Sequence, residues 1–295
     1  MTHRQAVALM IACTCMWSIS GIVSRQLEGA AGFEVAFWRS LFTTVTLLPL
    51  LAWLRGAPAV WQGVRGGGPV LWASACCWAV MFTAFMLALM LTTVANVLVT
   101  LALAPLLTAL IARYTIGHRL PRRSAFAILL AGIGIVWMYG SELSGAEPHH
   151  LLGTAIAMAV PLAAAINWTL LQHAAGSATR RTQDMLPAVL LGAVIATIAS
   201  LPLALPFAAT AQDIAYLALL GAVQLALPCV LAVLVARVLS APEMSLFGLL
   251  EVVLGVTWVW LGGGETPTPA VLGGGGLVLF ALLVNELLAL RVVRT

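Results

Sequence analysis

Ala88-Leu89-Met90-Leu91-Thr92-Thr93 and Ala236-Arg237-Val238-Leu239-Ser240-Ala241 are the two stretches on which the fold turns. Each is a short break between apolar runs, and the two lie half a chain length apart. Each leads forward through an apolar stretch to a polar turn containing glycine. In the first copy the turn is Gly117-His118-Arg119-Leu120-Pro121; in the second it is Gly264-Glu265-Thr266-Pro267-Thr268. Each then enters a glycine-rich apolar segment, Ala131-Gly132-Ile133-Gly134 or the run from Gly273 to Gly276. The chain repeats itself. With five membrane spans in each half, an odd number, the copies lie upside down relative to one another. Inverted repeats that close on a midplane site mark secondary transporters.

Composition agrees with membrane residence. Hydrophobic residues make up 62% of the 295 and charged residues 8%, far from the globular average. Apolar runs and their breaks predict an all-α membrane protein of ten transmembrane helices, arranged as two inverted five-helix repeats over 1–140 and 151–295. The spans are 5–25, 34–54, 69–90, 94–112, 124–140, 151–172, 185–205, 214–236, 243–261 and 269–290. The first is read as a retained helix and not a signal peptide, because no small-residue cleavage context follows it. Segments 55–68 and 173–184 read as solvated connectors. The 141–150 segment, with Pro148, His149 and His150, reads as an exposed link between the halves.

Arginine sets orientation. All 14 basic residues are Arg. With the N-terminus in the cytoplasm, Arg4, Arg55, Arg65, Arg113, Arg119, Arg122, Arg123, Arg180, Arg181, Arg237, Arg291 and Arg294 fall inside. Only Arg25 falls outside, with Arg39 just inside the second span. That bias follows the positive-inside rule and places both termini in the cytoplasm. Glu28, Glu34, Glu142, Glu147, Asp213 and Glu265 collect on the other side. Once the arginines are assigned to topology, no basic face remains for a nucleic acid.

The residues that carry chemistry are few and lie within spans. Glu251 sits at the middle of an apolar helix, where a charge costs about 3 kcal/mol to insert. It reads two ways: a group for a substrate ammonium or a coupled proton, or a neutral hydrogen-bonder between helices. Trp17, Trp78 and Trp168 lie deeper than the interfacial belt, and a buried indole needs a partner for its N–H. Asn96 and Thr100 share one helix face; with Asn167 and Gln224 they offer hydrogen bonds to a zwitterion, or serve as glue between helices. Met81, Phe82 and Phe85 continue the Trp78 face, as a tolerant pocket for flat apolar groups or as plain core. Arg39 reads as snorkelling outward or pairing with Glu34 or Glu265, with substrate carboxylate binding as the alternative. The glycine-rich segments suit helix packing inside each half, or a dimer face. Five cysteines, all in apolar spans, behave as small hydrophobes.

In order and spacing, these stretches resemble the drug/metabolite transporter superfamily in its ten-helix EamA form. The carrying residues are Trp17, Ser18 and Gly21; Phe37-Trp38-Arg39-Ser40-Leu41; Pro105; Asn167-Trp168; Leu249-Leu250-Glu251-Val252-Val253; and Gly264-Glu265 with the glycine-rich tenth helix. Within that superfamily the chain is most similar to YddG-type exporters of aromatic amino acids. The resemblance implies a basket of ten helices around a central cavity lined by helices 1, 3, 4, 6, 8 and 9. Two positions depart from the pattern. His118 stands where the family usually has Glu after a glycine, and Val252 follows Glu251 where Pro is usual, which implies a straighter ninth helix.

The expectation is a transporter of the bacterial inner membrane that exports amino acids, aromatic or otherwise hydrophobic, and related small metabolites. Export of drugs or organic cations is the alternative. The substrate site would be Trp17, Trp78, Met81, Phe82, Asn96, Thr100, Asn167, Trp168, Gln224 and Glu251. No cofactor motif, metal cluster or hydrolase signature is present, so no enzyme, cofactor or metal is expected. The partners expected are a small-molecule substrate and the lipid bilayer, with the chain a monomer or a glycine-faced dimer.

Overall fold

The computed structural model describes residues 1–116, 148–176, 184–239, 241–262 and 266–293, with Gly264 and positions 126, 129, 130, 132–134 and 137. Regular structure among them is helical throughout. Six segments are long and apolar enough to cross a membrane: His3–Ser24, Phe33–Arg55, Pro69–Leu91, His150–Ala174, Leu186–Ala204 and Ala211–Val235. Val94–Thr108, Leu250–Gly262 and Pro269–Ala281 are shorter apolar helical stretches. Large apolar side chains such as Leu48, Ile198, Leu203, Leu261 and Phe280 face outward, as lipid-facing surface requires. The predicted fifth span lies largely outside the described residues, as do Gly117, His118, Arg119, Arg122, Arg123, Arg180, Arg181 and Glu265.

Local chemistry explains where helices begin and break. α1 (His3–Ser18) starts at a capping box made by Thr2 and Gln5. It does not run unbroken to 25: it stops at Ile19, and α2 (Ser20–Ser24) follows. Arg25 then donates to the carbonyls of Leu89 and Thr92 at 2.8 and 2.9 Å, closing the C-terminus of α5 (Pro69–Leu91). α3 spans Phe33–Arg55. The 55–68 stretch is not merely a solvated connector. It holds α4 (Ala57–Arg65), which has Pro58 in its first turn and Arg65 over the Trp61 ring at 4.6 Å. Val60, Trp61 and Val64 give this short helix an apolar side.

The fourth predicted span is two helices. α6 (Val94–Leu101) is capped by Thr93, and α7 (Ala104–Ile116) restarts at Pro105, a residue that suits a first turn and breaks an interior. α8 runs Pro148–Gly176, so His150 belongs to a helical first turn and not to a loop. α9 is Leu186–Ala204. The eighth span is α10 (Ala211–Leu219), a π-helical turn (Leu220–Ala226) and α11 (Leu227–Val235). α12 (Ala241–Gly262) runs uninterrupted past Glu251-Val252, and α13 spans Pro269–Val293.

α5 is the central post, packed by α3, α8 and α9. Gly192 of α9 lies directly against the Trp78 side chain, where a Cβ could not fit. α5 and α8 run antiparallel: Gly153 packs on Leu91 and Thr92, while Ser74 bonds Asn167. The two glycine-rich segments meet each other, since a Cβ on Gly134 would stand 2.6 Å from the Gly274 carbonyl. Among the described residues, Gly273 also packs on Trp137 and Gly275 on Val99, so glycine here allows close approach between the two segments and their neighbours.

Polar contacts sort to two ends. At the first, His3 lies 3.1 Å from Glu243, and Asp184 pairs with Arg237 at 3.0 Å and Arg55 at 3.7 Å. At the second, two buried carboxylates clasp opposite loops. Asp213 accepts the backbone N–H groups of Glu28, Gly29, Ala30 and Thr210 at 2.9, 2.9, 3.1 and 2.9 Å. Glu34 accepts those of Ala208 and Ala209 at 3.0 and 2.9 Å, and the Trp38 indole N–H at 3.3 Å. Phe207 stacks on Phe37 beside them, with 5.2 Å between ring centroids.

Candidate functional site

Between α1, α3, α5, α8, the π-helical turn and α12 lies a cavity of about 120 Å³. Its walls are mainly apolar. α5 contributes Trp78, Met81, Phe82 and Phe85, a helical repeat that keeps all four on one face. α8 contributes Val160, Pro161, Ala164 and Trp168; α1 contributes Met10 and Trp17. Trp78 meets Trp168 edge to face with centroids 5.8 Å apart, and Phe82 tilts against Trp78 at 5.5 Å. Trp17 and Cys229 line the cavity from neighbouring helices, α1 and α11. The Trp78 indole N–H is buried and has no partner among the described residues.

Three polar side chains enter this apolar space: Gln224, Arg39 and Glu251. The π-helical turn positions the first. Pro228 downstream lacks an N–H, which loosens the ladder there, and Gly221 lies hard against α3. A Cβ on Gly221 would stand 2.6 Å from the Arg39 carbonyl oxygen. The widened turn directs Gln224 inward, where its amide donates to the Trp17 carbonyl at 3.3 Å. Such turns recur at functional sites because they re-aim side chains.

Arg39 does not snorkel, and it does not pair with Glu34, whose oxygens are held by the 208–209 backbone. The guanidinium is 1% exposed. It donates to the Phe82 carbonyl at 3.1 Å and, more weakly, to the Gln224 side-chain oxygen at 3.5 Å. The Phe85 ring lies 5.7 Å from its centre. The reason is its helix face. Val35, Arg39, Thr43, Leu47 and Leu51 are all buried at intervals of four, so Arg39 shares the inward stripe of α3, while Val45 and Leu48 face out. The sequence of α3 alone does not mark that face, because its apolar residues run nearly all round the helix.

Glu251 projects from mid-α12 and is half-buried at the cavity. It lines the same cavity as Arg39, yet the two form no ion pair within 4 Å. Trp17, Trp78, Met81, Phe82, Trp168, Gln224 and Glu251 are thus brought together. Asn96, Thr100 and Asn167 are not among the lining residues. Asn96 donates to Thr92 at 3.3 Å, and Thr100 to the Asn96 carbonyl at 2.7 Å, both within one chain turn. Asn167 accepts from Ser74 at 2.6 Å and ties α8 to α5. Arg39, Met10, Met244 and Leu101 were absent from the expected set. Among the described residues no group of three or more His, Cys, Asp or Glu is placed to hold a metal.

Residues 4–140 match the EamA-like transporter family. No curated protein matches the sequence. One solved crystal structure of a protein is 16% identical, with a TM-score of 0.71 over 98% of this chain and 99% of that one. At that identity the likeness speaks for the fold alone. The first part of the chain, residues 4–140, is thus similar to the EamA-like transporter family, and six helices long and apolar enough to cross a bilayer agree with a multi-pass membrane transporter.

Proposed function

We propose that the central cavity is the substrate site of a secondary exporter of amino acids, aromatic or otherwise hydrophobic, working by alternating access in the bacterial inner membrane. The observation that carries this reading is the make-up of one lining, which combines an aromatic set, Trp78, Trp168 and Phe82, with a polar set, Gln224, Arg39 and Glu251. An aromatic ring suits the first and a charged backbone the second. At about 120 Å³ the cavity falls short of the roughly 150 Å³ that accepts a benzene ring in an engineered protein core, so holding a whole amino acid calls for rocking of helices.

Ten spans in two inverted repeats, 1–140 and 151–295, with both termini cytoplasmic, complete the proposal. Chain direction supports the odd span count. α7 ends away from the rim at which α8 begins, and helical position Gly134 packs on α13. Efflux of organic cations is the second reading, favoured by Glu251 beside indole faces that attract cations. Proteoliposome flux of labelled phenylalanine tests the first. Phenylalanine should move down its gradient and be displaced by tryptophan and leucine. Transport of an organic cation with no phenylalanine flux would reverse the choice.

A further inference from the structure

We infer that Arg39 is a specificity residue of the cavity. Together with Glu251 it makes the site selective for zwitterions, Arg39 taking the substrate carboxylate and Glu251 its ammonium. The inference rests on the reading of the cavity as an amino-acid site.

The first argument is an unfilled hydrogen-bonding capacity. A guanidinium has five N–H donors. Arg39 has one good bond, to the Phe82 carbonyl, and one long one, to Gln224. Its Nε is buried with no partner among the described residues. A buried charge left so incompletely met is costly. Arg25 offers the contrast within the same chain: it closes a helix end with bonds of 2.8 and 2.9 Å. Arg39 instead lines a cavity with donors to spare, and a carboxylate is the acceptor whose geometry fits them.

The second argument is the counter-charge. Glu251 faces the same cavity from α12, and among the described residues it makes neither a hydrogen bond nor an ion pair. A guanidinium and a carboxyl that line one cavity with no ion pair within 4 Å leave a gap between them. A zwitterion fills that gap with no net charge added. The bound carboxylate supplies what Arg39 lacks, and the ammonium supplies what Glu251 lacks. An amine without a carboxylate leaves Arg39 unmet, and an acid without an amine leaves Glu251 unmet. Sites that strand their own buried polar groups reject the deficient analogue strongly, by far more than a missing methylene costs. Gln224 braces Arg39 from the π-helical turn while anchored on the Trp17 carbonyl, so the guanidinium stays oriented when the site is empty.

The experiment uses full-length protein in proteoliposomes, with labelled phenylalanine as cargo and phenethylamine and 3-phenylpropionate as competitors. Both competitors should act at least about 100-fold more weakly than unlabelled phenylalanine. Arg39→Gln should weaken phenylalanine while phenethylamine gains relative to it. Glu251→Gln should shift the ratio the other way, toward 3-phenylpropionate. A packing role would not move these ratios in opposite directions. If Arg39→Gln fails to reach the membrane, Glu251→Gln alone decides, with ligand-induced thermal shifts of the detergent-solubilised protein as the second readout. Equal losses for all three compounds, or no discrimination by the parent protein, overturn the assignment while leaving amino-acid transport standing. No phenylalanine flux from intact, correctly inserted protein overturns the amino-acid reading and this inference with it.

Discussion

The rim holds two buried carboxylates and the cavity a buried Arg39 with a half-buried Glu251, and the two regions treat them in opposite ways. At the rim Asp213 and Glu34 are saturated: Asp213 accepts four backbone N–H groups, and Glu34 accepts from two backbone amides and an indole. Each carboxylate holds the loop that precedes the other's helix, so the clasp is reciprocal between α3 and α10. In the cavity Arg39 and Glu251 are left with capacity unused. A buried charge whose bonds all close internally is part of the scaffold. One whose bonds stay open is available to a solute, which is the role proposed for Arg39.

The largest effect should come from breaking the clasp. Asp213→Ala strands four amide donors at a fully buried site and should destabilise the protein by about 3 kcal/mol or more. Thermal unfolding in detergent measures this, and a loss under about 1 kcal/mol would erase the contrast with the cavity. Next comes Glu251→Gln, which keeps shape and removes ionisation. Transport should fall severely, with unfolding shifted by no more than about 1 kcal/mol. Near-normal transport across a pH series would make Glu251 a neutral hydrogen-bonder between helices.

A smaller effect is expected for Trp168→Ala. Losing the edge-to-face partner of Trp78 should weaken aromatic substrates by about tenfold, or ~1.4 kcal/mol, and leave leucine less affected. Equal losses in transport and abundance would mark Trp168 as packing. Smallest is Ser74→Ala, which removes the bond to Asn167. Interhelical bonds of this kind average about 0.6 kcal/mol, so stability should slip slightly and competitor ratios stay fixed. A changed ratio would bring Asn167 back among the substrate ligands.

Polarity alone was a poor guide to the site. Asn96, Thr100, Asn167 and Gln224 looked equivalent in sequence, four uncharged polar groups within apolar spans. Asn96 and Thr100 spend bonds within their own turn, Asn167 spends one on α5, and Gln224 reaches the cavity. Arg39 stands close to its helix end in the sequence, yet the buried stripe from Val35 to Leu51 turns it inward. The aromatic face of α5 was legible because Trp78, Met81, Phe82 and Phe85 repeat at helical spacing.

The sequence by itself determined that the chain lives in a membrane and is helical, and where most helices start. In lipid each backbone polar group must find its partner within its own segment, so local apolar runs, prolines and caps suffice. Only the tertiary structure decided which side of each helix looks inward. α3, α5 and α9 are apolar nearly all round, so their sequences carry little contrast between a lipid face and a protein face. Crossing helices and close glycine contacts settle it, and they turn Arg39 toward Glu251.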